Sequence, residues 1–134
     1  MVELSRNTSI ARYQLVDGIL VCRLKNELII DERLAMRIAA EFAEMELDEL
    51  IPFLLVVPEN RLLLEPEAFR YLASQAGSNG TCAIAVVLES SLRALLINVS
   101  SFLVRSEVPL RIFKSRGEAR LWLFNYILDK EEIY

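Results

Sequence analysis

The chain has 134 residues, of which 54% are apolar and 25% charged, and its 15 basic and 19 acidic side chains give a formal net charge of -4. This length fits one domain, and the composition excludes disordered, collagen-like and low-complexity classes. The acidic balance provides no general attraction to nucleic acid or to an anionic membrane. Because the chain contains no histidine, serine–histidine catalysis, cysteine–histidine catalysis and imidazole-bound metals are excluded.

The sequence carries no targeting or membrane signal. Its apolar runs, such as residues 83–88, are far shorter than the roughly 18 residues that indicate a membrane span. Residues 1–14 are polar and mixed in charge, unlike a signal peptide. The only cysteines, Cys22 and Cys82, lie in apolar strand-like runs, where a thiol behaves as a small hydrophobe. We therefore expect a cytoplasmic, reduced protein with two buried thiols and no cofactor or metal.

The amino-terminal part predicts a loose arm, a hairpin and a helix. Residues 1–12 form the arm. Residues 13–16 and 19–24 flank Asp17-Gly18, the commonest two-residue hairpin signal. Asp31 is the expected cap of a helix, because apolar residues recur after it at the helical period. The predicted core stripe of this helix is Leu34, Ile38, Phe42 and Met45.

The middle of the chain predicts two strands and a helix. Residues 53–57 form a short apolar strand. Glu65-Pro66-Glu67 opens the second helix, with proline in the first turn, where its missing N–H costs little. Residues 81–88 are apolar at nearly every position, which is typical of a parallel strand buried on both faces. The predicted buried side of the second helix is Phe69, Leu72, Ala73 and Ala76.

The last third predicts a helix, an edge strand and a final helix. Ser90 or Ser91 caps the third helix, and Pro109 near the start of strand 108–113 indicates a sheet edge. Ser115 and Glu118 form a capping box before the last helix. The element order ββαβαβαβα indicates an α/β fold: a mixed sheet with an amino-terminal antiparallel hairpin, covered by helices. Its single domain spans residues 13–128, followed by a tail over residues 129–134.

This order resembles the STAS-like (SpoIIAA-like) fold, the sporulation anti-sigma-factor-antagonist type. The resemblance covers residues 13–128 and rests on the element order and on residues 54–73. In that family the third strand leads to an Asp-Ser-Ser-Gly-Leu motif that opens the second helix. The corresponding stretch here is Glu65-Pro66-Glu67-Ala68-Phe69. Since Pro66 and Glu67 stand at the two serine positions, the resemblance implies a diverged branch without the phosphorylatable serine.

The resemblance implies a non-catalytic protein-interaction or regulatory module, with another regulatory protein as its partner. An alternative follows from the lipid-exchange domains of the CRAL-TRIO type, which share a related sheet-and-helix fold. In that alternative, a small apolar ligand lies between helices near Leu62, Leu63 and Leu64. An enzyme is the least supported class, because no nucleophile–base pair is available without histidine.

Two short segments supply the candidate recognition residues. Glu65 and Glu67 either replace the charge of a phosphoserine or only favour the helix amino end through its dipole. Glu59, Asn60 and Arg61 follow the third strand, where open α/β sheets bind ligands. No glycine-rich phosphate loop accompanies them, which favours an ordinary solvated loop for these three residues.

The final helix carries apolar residues on two sides. The expected core side comprises Ala119, Trp122, Leu123 and Tyr126. A helix that is apolar on two faces has to bury both, so we expect a homodimer. On the last helix, the candidate interface consists of the residues opposite the core side, Leu121, Phe124 and Leu128. Two residues of the third helix, Ile97 and Val104, complete it. Alternatively, the amino-terminal arm or the carboxyl-terminal tail covers that side.

Overall fold

A six-stranded mixed sheet forms the centre of the fold in the computed structural model, which describes residues 4–25, 29–47, 50–58, 63–74, 80–88 and 108–132. The strands cross the sheet in the order β1 (Ser5–Asn7), β2 (Ala11–Val16), β3 (Ile19–Leu24), β5 (Phe53–Val56), β7 (Ile84–Val87) and β8 (Leu110–Phe113). A small second sheet pairs β4 (Ile29–Ile30) with β6 (Leu63–Leu64). The described helices are α1 (Glu32–Glu44), α2 (Pro66–Leu72) and α3 (Arg116–Glu132).

The hairpin between β2 and β3 is confirmed. Its strands are antiparallel, and Val16 pairs with Ile19 across a two-residue turn. Asp17 and Gly18 both have positive φ, 50° and 82°. A tight turn that matches the twist of its strands needs two left-handed residues, which aspartate followed by glycine supplies.

The other half of the sheet is parallel. β5 pairs with β3 and β7, and β7 pairs with β8, all in parallel. Every residue of β5 and β7 is buried, as the continuous apolar runs predict. β8 is the last strand of the sheet order, which confirms the edge position indicated by Pro109.

The two faces of the sheet carry two separate cores. On one face, α1 and α2 pack against the sheet; the predicted α1 stripe Leu34, Ile38, Phe42 and Met45 is buried there with Phe69, Leu72 and Ala73. On the other face, α3 buries Ala119 and Leu123 against β5 and β7, while Trp122 and Tyr126 are half-buried. The expected mixed sheet covered by helices is therefore present, with helices on both faces.

The structure differs from the sequence prediction at both chain ends. The expected loose arm contains β1, which pairs antiparallel with β2 through Arg6 and Tyr13. The expected tail includes residues of α3, which continues to Glu132. The predicted third helix, with Ile97 and Val104, lies outside the described residues, as does Ala76.

The small sheet and one cysteine also differ from expectation. β4 and β6 were not predicted, because two residues are too few to show a strand pattern. Cys22 is fully buried, as expected, whereas Cys82 is only half-buried and precedes β7. The expectation of two buried thiols is therefore wrong for Cys82.

Thr8 holds the turn that attaches β1 to the sheet. Its hydroxyl accepts hydrogen bonds from the backbone N–H groups of Ile10 and Ala11, at 3.3 and 3.1 Å. The same hydroxyl donates to Glu41 Oε1 of α1 at 2.9 Å. β1 contributes mainly polar side chains, so backbone pairing and this turn keep it in place.

We expect Thr8→Val to lower the free energy of unfolding by about 1–3 kcal/mol, because the methyl group leaves partly buried donors and an acceptor without their partner. Urea unfolding followed by circular dichroism measures the change. The matched control is Ser9→Ala, which removes only an exposed hydrogen bond from Arg37 and should stay within about 0.5 kcal/mol of the parent. Equal effects of the two substitutions would contradict this role of Thr8.

Candidate functional site

The amino ends of α1 and α2 lie side by side. α1 begins directly after β4 and α2 directly after β6, and these two strands are paired in parallel. The pairing continues beyond the strands, since the backbone N–H of Glu65 donates to the carbonyl of Ile30 at 2.8 Å. Two short strands thereby place both helix starts at one edge of the fold.

The two helix starts are capped differently. Asp31 caps α1, because its Oδ1 accepts from the backbone N–H of Leu34 at 2.9 Å. Glu65 occupies the cap position of α2 but makes no side-chain capping bond there, and Pro66 follows at the first helical position. The carboxylate of Asp31 is therefore engaged in capping, whereas that of Glu65 serves no capping role.

An open concavity of about 270 Å³ lies between these helix starts. It is lined by Asp31, Glu32, Arg33, Met36 and Glu65, which are three acidic residues, one basic residue and one apolar residue. The side chain of Met36 is 48% exposed. The surface thus combines an accessible apolar side chain with an excess of negative charge.

A second exposed apolar residue lies near the concavity. Ile29 of β4 is 50% exposed, while Ile30 next to it is buried in the first core. This is the alternation of a strand with one face toward solvent. Ile29 precedes the cap residue Asp31 by two positions, so a second exposed apolar side chain lies close in the chain to the start of α1.

The structure separates the two candidate glutamates of the second helix. Glu65 lines the concavity. Glu67 is exposed and forms an ion pair with Arg70 of its own helix, at 3.5 Å. Both side chains of that pair are more than half exposed, so water screens their attraction. The other predicted recognition residues, Glu59, Asn60 and Arg61, lie outside the described residues.

The predicted oligomer interface is partly described. Leu121 of α3 is 69% exposed. Phe124 is half-buried and packs against the second core, with the guanidinium of Arg120 5.9 Å from its ring centre. The side chain of Leu128 lies outside the described residues, as do Ile97 and Val104. α2, at whose start Glu65 and Glu67 lie, and α3, which carries Leu121 and Phe124, pack on opposite faces of the sheet.

Sequence reasoning missed Met36 and Ile29. Met36 lies off the core stripe of α1, and an exposed methionine on a helix has no distinctive sequence pattern. The available signal was its position two residues after Leu34, which turns it away from the stripe. The pairing of β4 with β6, whose partner residues lie 34 positions apart, and the packing of α1 against α2 bring Met36 and Glu65 together.

The buried side chain of Tyr13 on β2 lies beside Cys22 of β3 and contacts α1, on the face of the sheet that α1 and α2 cover. Tyr13 and Cys22 pair across the two strands, and the Tyr13 hydroxyl donates to Glu41 Oε1 at 2.8 Å. Burial raises the pKa of Tyr13 far above its ordinary value, and the nearby Cys22 and Glu41 add to the shift. Burial likewise raises the pKa of the Cys22 thiol. Both groups stay protonated at neutral pH, and the hydrogen bond from Tyr13 to Glu41 links α1 to the hairpin.

The chain matches the family model described as a domain of unknown function (DUF7793) over residues 13–127. The chain belongs to this family. The matched part of the DUF7793 domain includes all the residues that line the concavity. Comparison with curated proteins gave no match, and comparison with solved structures gave none.

The described residues of the DUF7793 domain form neither a metal-binding cluster nor a helix able to span a membrane. There, no group of three or more cysteine or carboxylate side chains is arranged to hold a metal ion, so the acidic concavity has no metal-binding geometry. Across the same part of the chain, every helix is too short or too polar to cross a membrane.

The buried Tyr13 and Cys22 make stability depend on pH. Both keep their protons in the folded chain, whereas in the unfolded chain they titrate near their ordinary pKa values of about 10 and about 8.5. The unfolded state therefore binds fewer protons above about pH 8.5, so the free energy of unfolding is fully retained below that pH and falls above it. The slope is at most about 1.4 kcal/mol per pH unit for each group.

Urea unfolding between pH 7.5 and 10.5 measures this dependence. Tyr13→Phe should flatten the decline above about pH 10, and Cys22→Ala should flatten it from about pH 8.5 upward. Ser9→Ala, which removes no titrating group, is the control and should leave the slope of the parent. If the free energy of unfolding of the parent and of all three variants falls with pH at the same slope, Tyr13 and Cys22 are not the buried, protonated groups described here.

Proposed function

We propose that this protein is a non-catalytic protein-interaction module of STAS-like type, and that it contacts a regulatory partner through the concavity between α1 and α2. The observation that carries the proposal is the exposed Met36 within an acid-rimmed surface at two adjacent helix starts. Methionine is enriched at protein contact surfaces, and the rim of such surfaces is polar.

The sheet order supports the STAS-like assignment. An antiparallel hairpin leads into parallel strands that follow one another across the sheet, and α2 begins at the segment that resembles the STAS switch motif. The concavity therefore lies where the resemblance implies partner recognition. At this place the chain has Glu65, Pro66 and Glu67, none of which accepts a phosphate group.

The lining residues define the partner's chemistry. Met36 offers an apolar contact, while the carboxylates of Glu32 and Glu65 favour lysine or arginine on the partner. A basic segment with at least one apolar side chain fits this combination. Charged groups at the rim chiefly set the association rate and the choice of partner. A carboxylate of Glu65 that is permanently negative makes this recognition constitutive, in contrast to a phosphoserine switch.

The apolar-ligand alternative receives less support from the described residues. The apolar space between α1, α2 and the sheet, which Phe42, Phe53 and Leu72 help to line, has a volume of about 10 Å³. Such a space holds about one water molecule, whereas ligand pockets typically enclose about 300–1,000 Å³. Within the described residues, this small volume favours the interaction role.

Photocross-linking in the protein's own host tests the proposal. A benzoylphenylalanine placed at position 36 should form a covalent product with a different protein, identified by mass spectrometry. The matched control places the same group at position 50, where Leu50 is 55% exposed outside the concavity. A product with lipid alone, or equal products from the two positions, would contradict the proposal.

Charge reversal at Glu65 tests whether the cross-linked partner is basic. Glu65→Lys should lower the yield of the position-36 product about fivefold or more, equivalent to roughly 1 kcal/mol of binding free energy, because it repels a basic partner. Glu118→Lys reverses an exposed carboxylate at the start of α3 and should leave the yield unchanged. A yield insensitive to Glu65→Lys would exclude a basic partner at this surface.

A further inference from the structure

One face of the strands β1, β2 and β3 is open to solvent. Tyr13 and Cys22 lie in the first core, so the residues that alternate with them along β2 and β3 point to the opposite face of the sheet. α3 packs on that opposite face mainly against β5, β7 and β8. The exposed residues beside it, which we name the ribbon face, are Ser5, Asn7, Arg12, Gln14 and Arg23.

The ribbon face holds two positive charges side by side. Arg12 of β2 and Arg23 of β3 are directly opposite in the antiparallel register. Opposite side chains of such a pair have Cβ atoms about 4.5–5.5 Å apart, and like charges there weaken the pairing. Neither arginine forms an ion pair with any residue that the structure describes. The other three residues of the ribbon face are neutral, so nothing on this face balances the two guanidinium groups.

The composition of the ribbon face selects the class of its occupant. A second copy placed on it about a two-fold axis would set arginines against arginines. Single-stranded nucleic acid is bound by aromatic side chains on which the bases stack, and the ribbon face has no aromatic residue. An anionic membrane attracts clusters of about four to eight basic residues, whereas this face has only Arg12 and Arg23. Its charge therefore fits an acidic segment of a protein.

We propose that the ribbon face binds an extended acidic segment of a partner protein, in which carboxylates at two alternate positions pair with Arg12 and Arg23. Alternate side chains of an extended chain point to the same side and are about 6.6–6.8 Å apart, which two neighbouring arginine side chains can match. A guanidinium group binds a carboxylate through two parallel hydrogen bonds. Because α1 and α2 cover the opposite face of the sheet, the inference does not depend on the proposed function.

An NMR titration of the full chain at low ionic strength tests this binding with the capped peptide Ser-Asp-Ser-Asp-Ser. The peptide should shift the amide signals of β1, β2 and β3, and Arg12→Gln or Arg23→Gln should raise its dissociation constant about fivefold or more. The matched control is Arg37→Gln, which removes an exposed arginine of α1 and should leave the dissociation constant unchanged. Equal weakening by all three substitutions would overturn the proposal, as would equal binding of Ser-Asn-Ser-Asn-Ser. Tighter binding of a peptide with one phosphoserine in place of both aspartates would overturn the assignment to carboxylates.

Stability of the free chain provides a second readout, which separates binding from a structural role of the two arginines. Arg12→Gln and Arg23→Gln should each raise the urea midpoint of unfolding, because each removes one member of a like-charge pair. The gain should shrink at high salt, which screens exposed charges. A lower midpoint in both variants would show that the arginines stabilise the sheet themselves, and it would overturn the inference that they are held together for an acidic partner.

Discussion

Burial of β5 and β7 on both faces is the constraint on which the rest of the structure depends. All eight residues of these two strands are buried, and each strand has parallel neighbours on both sides. A sheet centre without a solvent face needs helices above and below it. The chain meets this need with α1 and α2 on one face and α3 on the other.

The direction of the strand order then determines where the helices begin. β3, β5 and β7 follow one another across the sheet, and crossovers of one hand that advance in one direction lie on one face. α1 and α2 are therefore neighbours, and the pairing of β4 with β6 aligns their amino ends. The acid-rimmed concavity with Met36 is a consequence of that alignment. α3 reaches the opposite face only after the last strand, which keeps its outer side apart from the concavity.

Sequence patterns predicted the elements that depend on local chemistry. Asp17-Gly18 determined a turn that needs two left-handed residues, and the period of Leu34, Ile38 and Phe42 determined the buried side of α1. Features formed by distant contacts were not predicted. β1 has polar side chains and is held by backbone pairing and Thr8. The concavity requires Met36 and Glu65, which carry no shared motif and meet through the pairing of β4 with β6 and the packing of α1 against α2. Of the predicted site, Glu65 lies in the concavity, whereas Glu67 faces its own helix partner Arg70.

Amide hydrogen exchange at the start of α2 tests most directly whether the small sheet aligns the two helices. The N–H of Glu65 donates to Ile30, whereas Glu67 is exposed in the first helical turn, where N–H groups have no partner within the helix. The account predicts that the amide of Glu65 exchanges at least about tenfold more slowly than that of Glu67, after correction for intrinsic rates. Equal, fast exchange of both amides would show that β4 and β6 are not paired, and that the two helix starts do not form one surface.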